Sequence, residues 1–537
     1  MARTIAGAKA ALAAFKEGQG AGVLKFDITG NESKKKASII NGLVTFSYYE
    51  SLLQDSIRAS VTFVDSGGAV DGKTIMAGLP IYGSELTSIK IEDNNNETLE
   101  LTMYVNKPDD LVDDTTKSIA VLNFASKEFL MNEKVRLSTR FDGLISDHVE
   151  AILTKHQGEN GGKEQQYLNT EKEIDIEPTL NKRNFCGNNW KPFYAINWLC
   201  KQGVPSAEGN PEATGGGNTN SAGYMFWETA DGFNFRSIDS LMNTETNKPK
   251  KKYIYNETTD MGGCEIPEGY DAKALTMSID KRTDVQQKYN MGAYSTRMWT
   301  FNPLNCEVNF EYPNAFSSSI GSEEYLKMAG KNLPSLNEEF DTDVDFSRSN
   351  FLVLDTGTLP GGSGSGENSE QIKKSKEENS KPRDTLSQGI MRMNQLFSLK
   401  VLITIPGDFS LRAGDAVYFD APGLTMDPKE QIEDQQIGGN YVIGSLCHYI
   451  DGSNTLTKLD LVRDSFGRKP KQRNNATSQR NNATSRTGSF QDRRNWRRSA
   501  SASARANTNR LGQNIKTSST NRGPRGRWAA KQAQKNR

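Results

Sequence analysis

Three histidines are all the imidazole in a chain of 537 residues: His148, His156 and His448. His148 falls on the apolar stripe of a helix predicted over Leu144–His156, with Leu144, Val149, Ile152 and Leu153. His156 is expected in the last turn of that helix, where a protonated ring suits the dipole. Both read as structural. Cys447 and His448 are neighbours on a predicted strand and point to opposite faces, so they do not share a metal. The five cysteines, Cys186, Cys200, Cys264, Cys306 and Cys447, are odd in number and contain no CxxC. They read as thiols in a reducing compartment, without zinc spacing. Asp341-Thr342-Asp343-Val344-Asp345 opens like a calcium loop. Phe346 then stands where the sharp turn needs Gly, and Leu352 where the bidentate Glu belongs. Asp109, Asp110, Asp113 and Asp114 read as a solvated loop. Gly361–Gly366 (GGSGSG) lacks the Lys-Ser/Thr that completes a phosphate cradle, and reads as a linker. No nucleophile motif appears, although a chain with 66 acidic residues leaves carboxylate pairs open. No catalytic residue, metal or cofactor is expected, and nothing positive supports an enzyme.

The strongest chemical signal is at the C-terminal end. Arg493, Arg494, Arg497 and Arg498 flank Trp496, and Arg522, Arg525 and Arg527 precede Trp528. Guanidinium groups interleaved with indoles suit phosphate contact with base stacking. They equally suit an acidic protein surface, this chain's own body included, or a solubilising role. From Arg468 to Arg537 there are 19 basic residues against one acid, Asp492. The remaining residues carry 47 basic and 65 acidic side chains. The formal net charge of zero therefore hides an acidic body and a basic tail. The tail repeats QRNNATS at Gln472–Ser478 and Gln479–Ser485 and holds few aliphatic residues, so it is predicted to be disordered when alone.

The elements that would position any site are mostly strands. Leu43–Tyr49 and Ser60–Val64 are β-branched and aromatic. Leu86–Ile91 and Leu99–Val105 alternate about the polar turn Glu92–Glu97 and predict a hairpin. Ile119–Phe124 and Val135–Ser138 add apolar stretches. A helix is predicted over Pro192–Gln202, with Pro192 in its first turn and Gly203 as its stop. Tyr224–Glu228 and Phe233–Ile238 flank the turn Thr229–Gly232. Further strands are predicted at Ala274–Ile279, Thr296–Phe301, Cys306–Phe310, Phe397–Ile405, Ala416–Phe419, Tyr441–Tyr449 and Thr455–Val462, and Asp384 is expected to cap a helix reaching Asn394. The fold class is mainly β with α+β insertions. Residues 1–21 form an N-terminal arm without signal-peptide character, and 22–143 a β-barrel domain. Residues 144–250 form an α+β docking domain. Residues 251–310 and 397–467 form a discontinuous second barrel. Residues 311–396 are an inserted docking region with a flexible loop at 360–382, and 468–537 is the basic tail. No apolar run reaches 18 residues, so no membrane span is expected.

Block order and local phrasing carry a resemblance. A long hairpin (LTSIKIEDNNNETLELTMYV, Leu86–Val105) comes first. A Trp-bearing hairpin follows (GYMFWETADGFNFRSIDSLMN, Gly223–Asn243). Then come FSLKVLITIPGDFSLRAGDAVYFDAP (Phe397–Pro422) and GGNYVIGSLCHYIDGSNTLTKLDLVRD (Gly438–Asp464). Over about 22–467 the chain resembles the baseplate central-hub proteins of T-even-like contractile-tailed bacteriophages. The phrase PGDFSLRAGDAVYF is shared more widely, with tail-tip proteins and type VI secretion spikes.

The resemblance implies a homotrimeric ring of tube-like barrels with pseudo-sixfold symmetry. One side would meet the hexameric tail tube or its initiator proteins, and the other the trimeric cell-puncturing spike. Baseplate wedge proteins would be neighbours. The protein would assemble in the bacterial cytoplasm and reside in the virion tail. The alternatives are another tail-tip or type VI spike-like component, or a nucleic-acid-binding protein acting through the tail. The basic tail, the loop 360–382 and Met1–Gly18 lie outside the family pattern.

Overall fold

The computed structural model describes residues 22–464, except 69, 94, 114–116, 157–164, 207–221, 245, 256–268, 282–283, 294–295, 303–306, 312–347, 354–381, 422–436 and 453. The Asp341–Asp345 motif, the GGSGSG segment and all nine tail residues named above (Arg493, Arg494, Trp496, Arg497, Arg498, Arg522, Arg525, Arg527 and Trp528) lie outside the described residues. The fold is mainly β, with helical insertions.

The first module follows from alternation. β1 (Gly22–Thr29), β2 (Lys36–Ser38), β3 (Leu43–Ser51), β4 (Arg58–Asp65), β5 (Leu86–Glu92), β6 (Thr98–Asp113) and β7 (Ser118–Ala125) each turn one apolar row inward. In β4 that row is Ala59, Val61 and Phe63, all buried. The predicted hairpin is β5–β6, with Ile89 opposite Leu101 and Ile91 opposite Leu99. The pairings close into a ring: β1 meets β2, the chain continues through a short 3-10 turn into β3, and then β4, β7, β6 and β5 lead back to β1. The stretch Lys36–Ser51 is thus one ring position, interrupted in the middle. At the interruption only Gly42 fits, because a Cβ there would lie 2.0 Å from the Val64 carbonyl oxygen. A four-residue helix α1 (Ile75–Gly78) sits between β4 and β5.

Helix α2 (Lys127–Lys134) follows β7. Ser126 caps it by accepting from the Phe129 N–H (3.4 Å). Val135–Ser138, expected as an apolar stretch of the first barrel, is the exit from this helix, with Leu137 making an isolated bridge to Trp190. Residues 127–142 lie inside the range expected for that barrel. However, Leu137 and Phe141 pack with the core of the following domain, and β8 (Arg140–Phe141) pairs with a strand there.

The following α+β segment holds α3 (Ile145–Leu153), β9 (Lys155–His156), β10 (Gln165–Gln166), β11 (Glu173–Ile176), β12 (Phe185–Cys186), α4 (Pro192–Cys200), β13 (Tyr224–Glu228), β14 (Gly232–Ser237) and α5 (Ile238–Met242). β8 pairs with β12, and β11 runs parallel to β14 beside the β13–β14 hairpin. His148 is buried on α3, and its Nε2 lies 2.8 Å from the Arg183 carbonyl oxygen. His156, by contrast, is not in the last turn. α3 stops at Leu153, since the extended Thr154 turns its N–H and hydroxyl onto the Glu150 carbonyl, and His156 belongs to β9.

The second module contains β15 (Lys251–Ile254), β16 (Ala272–Lys273), β17 (Thr276–Lys281), then helix α6 (Val285–Met291), β18 (Thr296–Asn302), β19 (Glu307–Glu311), β20 (Arg348–Val353), helix α7 (Pro382–Leu396), β21 (Leu399–Pro406), β22 (Ala416–Asp420), β23 (Gly439–Asp451) and β24 (Asn454–Arg463). Its ring runs β15, β16 continuing into β17, β21, β24, β23, β22 and back to β15. β18 and β19 fall in the range expected for this barrel, but they pair instead with β20 as a separate three-stranded sheet. α7 begins at Pro382, so Asp384 is its third residue, not its cap; a proline suits the first turn because its missing N–H would have no helical partner there. Arg392 of α7 donates to Asp239 (2.8 Å) and Asp464 (2.9 Å), tying the insertion to α5 and to the end of β24.

Candidate assembly interface

Written in chain order, each ring has six positions, the second being the interrupted one. Both rings are wired identically: first, second, third, sixth, fifth, fourth, first. The pairings correspond in sense as well, except that the first strand is antiparallel to both neighbours in ring one (β1) and parallel to both in ring two (β15). Equivalent core positions mostly carry different residues, for example Val61 and Ile403 or Phe124 and Leu461.

The rings are joined by β3 of the first and β23 of the second, antiparallel, with Phe46 opposite Ile450 and Tyr48 opposite His448. One apolar core runs through both rings. β23 makes the joint by changing partners. Its first residues, Gly439–Val442, pair with β22, and Ser445–Asp451 pair with β3, with a bulge between Ile443 and Ser445.

Behind the joint lies a buried polar seam. Glu50 on β3 is in phase with Phe46 and Tyr48, which turns it inward. Its Oε1 accepts from the Tyr48 hydroxyl (2.7 Å) and the Ala230 N–H (2.8 Å), and its Oε2 from the Ala413 N–H (2.8 Å). Ala230 belongs to the β13–β14 turn and Ala413 to the β21–β22 loop, so one carboxylate fastens three parts of the chain. Burial pushes its pKa up to about 7, against the pull of Arg412 and the hydrogen bonds. Glu228, also pushed by burial to about 7, accepts from the Ile57 N–H (3.0 Å) and pairs with Lys172. Asp93, in the β5–β6 turn, accepts from the Phe409 N–H of ring two (2.9 Å). His448 stacks on Tyr48 with the ring planes 7° apart and lies edge-on to Phe409; burial lowers its pKa to about 3. The pair Cys447–His448 points to opposite faces as read, the imidazole fully buried and the thiol half-exposed.

The β21–β22 loop is held by Trp227, whose indole N–H donates to the Ala413 carbonyl (3.0 Å). Gly414 has φ +93°, and a Cβ there would lie 2.6 Å from the indole. Gly414→Ala is therefore expected to cost about 2 kcal/mol, read as a lowered midpoint in thermal or urea unfolding.

Asp109, Asp110 and Asp113, expected in a solvated loop, belong to strand β6. Asp109 accepts from the Asn123 amide (2.7 Å) and pairs with Lys107. Beyond Val105, no strand among the described residues pairs with the edge of β6 away from β7. The edge of β17 away from β21 is likewise unpaired among them. Sequence reasoning missed Glu50; its alternation with Phe46 and Tyr48 is the signal that marks it.

No family model matches the chain. Over 440 residues it is 22% identical to the probable baseplate hub protein gp334 of Vibrio phage KVP40, covering 80% of this chain and 91% of that one. Solved structures with partial likeness include the 43 kDa tail protein of prophage MuSo2 from Shewanella oneidensis (10% identity, 82% of this chain and 98% of that one, TM-score 0.44). A tail protein from Neisseria meningitidis MC58 gives 8% identity, 82% and 97% coverage, and a TM-score of 0.41. The resemblance read from block order and phrasing thus has its counterpart in a probable baseplate hub protein matched over four-fifths of the chain.

Proposed function

We propose that this chain is the central hub ring of the baseplate, a homotrimer whose six barrels imitate sixfold symmetry. One side of the ring meets the tail tube or its initiator and the other the trimeric spike, with wedge proteins around it. The observation that carries this reading is the pair of rings with one strand order, joined side by side through β3 and β23. Cyclic assembly needs repeated compatible surfaces, and two like modules per chain supply them twice in each copy. Short strands and a polar exposed sheet face fit a protein whose work is to be covered by neighbours. The test is the mass of the full-length chain by size exclusion with light scattering, alone and with its spike protein. Three copies are expected; a monomer or dimer under both conditions would overturn the reading.

The basic segment 468–537 is proposed to dock on an acidic baseplate protein, through the clusters Arg493–Arg498 and Arg522–Trp528. Deleting it should weaken incorporation into baseplates at low salt more than at high salt, scored by co-sedimentation. Equal incorporation at every ionic strength would count against the tail's role.

A further inference from the structure

Lys172 and Glu228 meet at one end of the β11–β14–β13 sheet, and a third ionisable side chain closes on them. Lys172 directly precedes β11 and pairs with Oε1 of Glu228 at the end of β13. Glu128, in the first turn of α2, brings its Oε2 within 3.7 Å of the Lys172 Nζ. Glu228 is fully buried and Glu128 only 2% exposed. The Phe233 ring lies beside the ammonium, its centroid 6.0 Å from Nζ.

The carboxyl oxygens have distinct surroundings. Oε2 of Glu228 accepts from the Ile57 N–H (3.0 Å), and the Ser126 hydroxyl hydrogen-bonds to the same carboxyl. Oε1 of Glu128 accepts from the Thr170 hydroxyl (2.8 Å), which fixes that carboxyl in place. Oε2 of Glu128 is buried and makes no hydrogen bond. A buried polar atom in that state costs about 1–3 kcal/mol. An ion pair leaves the cost standing. An amide between Lys172 and Glu228 relieves it, because the N–H kept on Nζ has this acceptor beside it.

We infer that Lys172 and Glu228 join in an intramolecular isopeptide bond, made by the chain itself with Glu128 as the proton carrier. The parts that acyl transfer needs are together: an amine, a carboxyl carbon, a base and an oxyanion donor. Glu128 takes a proton from the Lys172 ammonium. The freed lone pair bonds Nζ to Cδ of the protonated Glu228, and the C=O electron pair moves onto Oε2, where the Ile57 N–H holds it. As that pair returns, the Cδ–Oε1 bond breaks. The Oε1 hydroxyl takes a second proton from the nitrogen by way of Glu128 and leaves as water. Glu128 keeps one proton, so atoms and charge balance.

Burial pushes the Glu228 pKa up to about 7, which supplies the neutral acid that the step requires. The Ile57 contact survives, since the amide carbonyl is Oε2. A reacted chain no longer titrates at Glu228, so the pH dependence of that group belongs to unreacted chains. The bond ties the two strands that flank β14 and closes residues 172–228 into a loop, which restricts the unfolded chain. It lies within one copy and stands apart from the ring reading.

The test is mass spectrometry of the full-length chain after complete denaturation. The chain should be lighter than its sequence by one water. A tryptic digest should contain a branched peptide joining residues 164–182 to 202–236. Lys172→Arg keeps the positive charge without the amine, and should show the full mass and separate peptides. Glu128→Gln keeps the size and removes the proton carrier, so its bond should form about a hundredfold more slowly. A parent chain at full mass, cleaved after Lys172, overturns the bond. A water loss that persists in Lys172→Arg overturns it as well, by placing the dehydration elsewhere. Glu128→Gln reacting as fast as the parent overturns the role given to Glu128.

Discussion

Glu50→Ala is expected to lower stability by about 3–5 kcal/mol, with full-length protein unfolding at a markedly lower urea midpoint and with the two rings and the β13–β14 hairpin losing their cooperativity. The substitution strips a buried acceptor from the Ala230 and Ala413 N–H groups and from the Tyr48 hydroxyl. Each orphaned buried donor costs about 1–3 kcal/mol, and the side chain that leaves them is only 1% exposed. Glu50→Gln keeps the size and one carbonyl oxygen, but turns an NH2 toward one of the two backbone donors, so a loss of about 1–2 kcal/mol is expected at acid pH. If Glu50→Ala unfolds within about 0.5 kcal/mol of the parent, the seam is not what holds the three parts together.

The second large effect is on pH dependence. Glu50 and Glu228 each have a folded-state pKa near 7, above the ordinary 4.5, with burial as the first cause in both. A carboxyl with a raised pKa binds its proton more tightly in the folded chain. Its stabilising contribution is complete below about pH 4.5, declines as pH rises to about 7, and is gone above that. The span is about 3 kcal/mol for each group. His448 works in the opposite sense: with its pKa lowered to about 3, it destabilises the folded chain as pH falls below the ordinary 6.5. Comparing variants isolates the carboxyls. The stability difference between the parent and Glu50→Gln should change by about 3 kcal/mol between pH 4.5 and 8, favouring the parent at the acid end. Urea titrations at five pH values measure it, and a difference that does not move with pH would show Glu50 to be ionised throughout.

What the sequence disclosed follows the range of the interactions involved. The β5–β6 and β13–β14 hairpins were legible because a polar turn and alternating rows are local signals, and so were α3 and α4. Helix α2 carries a signal as well, Ser126 ahead of Lys127-Glu128-Phe129, but the apolar Val135 and Leu137 after it alternate like a strand. The ring wiring was not legible. β3 meets β23 across roughly four hundred residues, and the equivalent rows of the two rings share hydrophobicity more than residue identity. The allocation of β18 and β19 was hidden for the same reason, since their partner β20 comes after a long intervening stretch. The candidate interface lay between these extremes. The acidic run Asp109–Asp113 was visible as composition, but composition does not distinguish a wet loop from a strand with a bare edge.

The β3–β23 joint also has a consequence during translation. β3 leaves the ribosome early, and the strand that covers its outer edge is among the last to be made. For most of synthesis the nascent chain therefore carries an uncovered strand edge, the kind of surface that recruits stray strands and chaperones. Fragments ending before Gly439 would keep that edge for good, so expression of N-terminal pieces should yield inclusion bodies where the whole chain stays in solution.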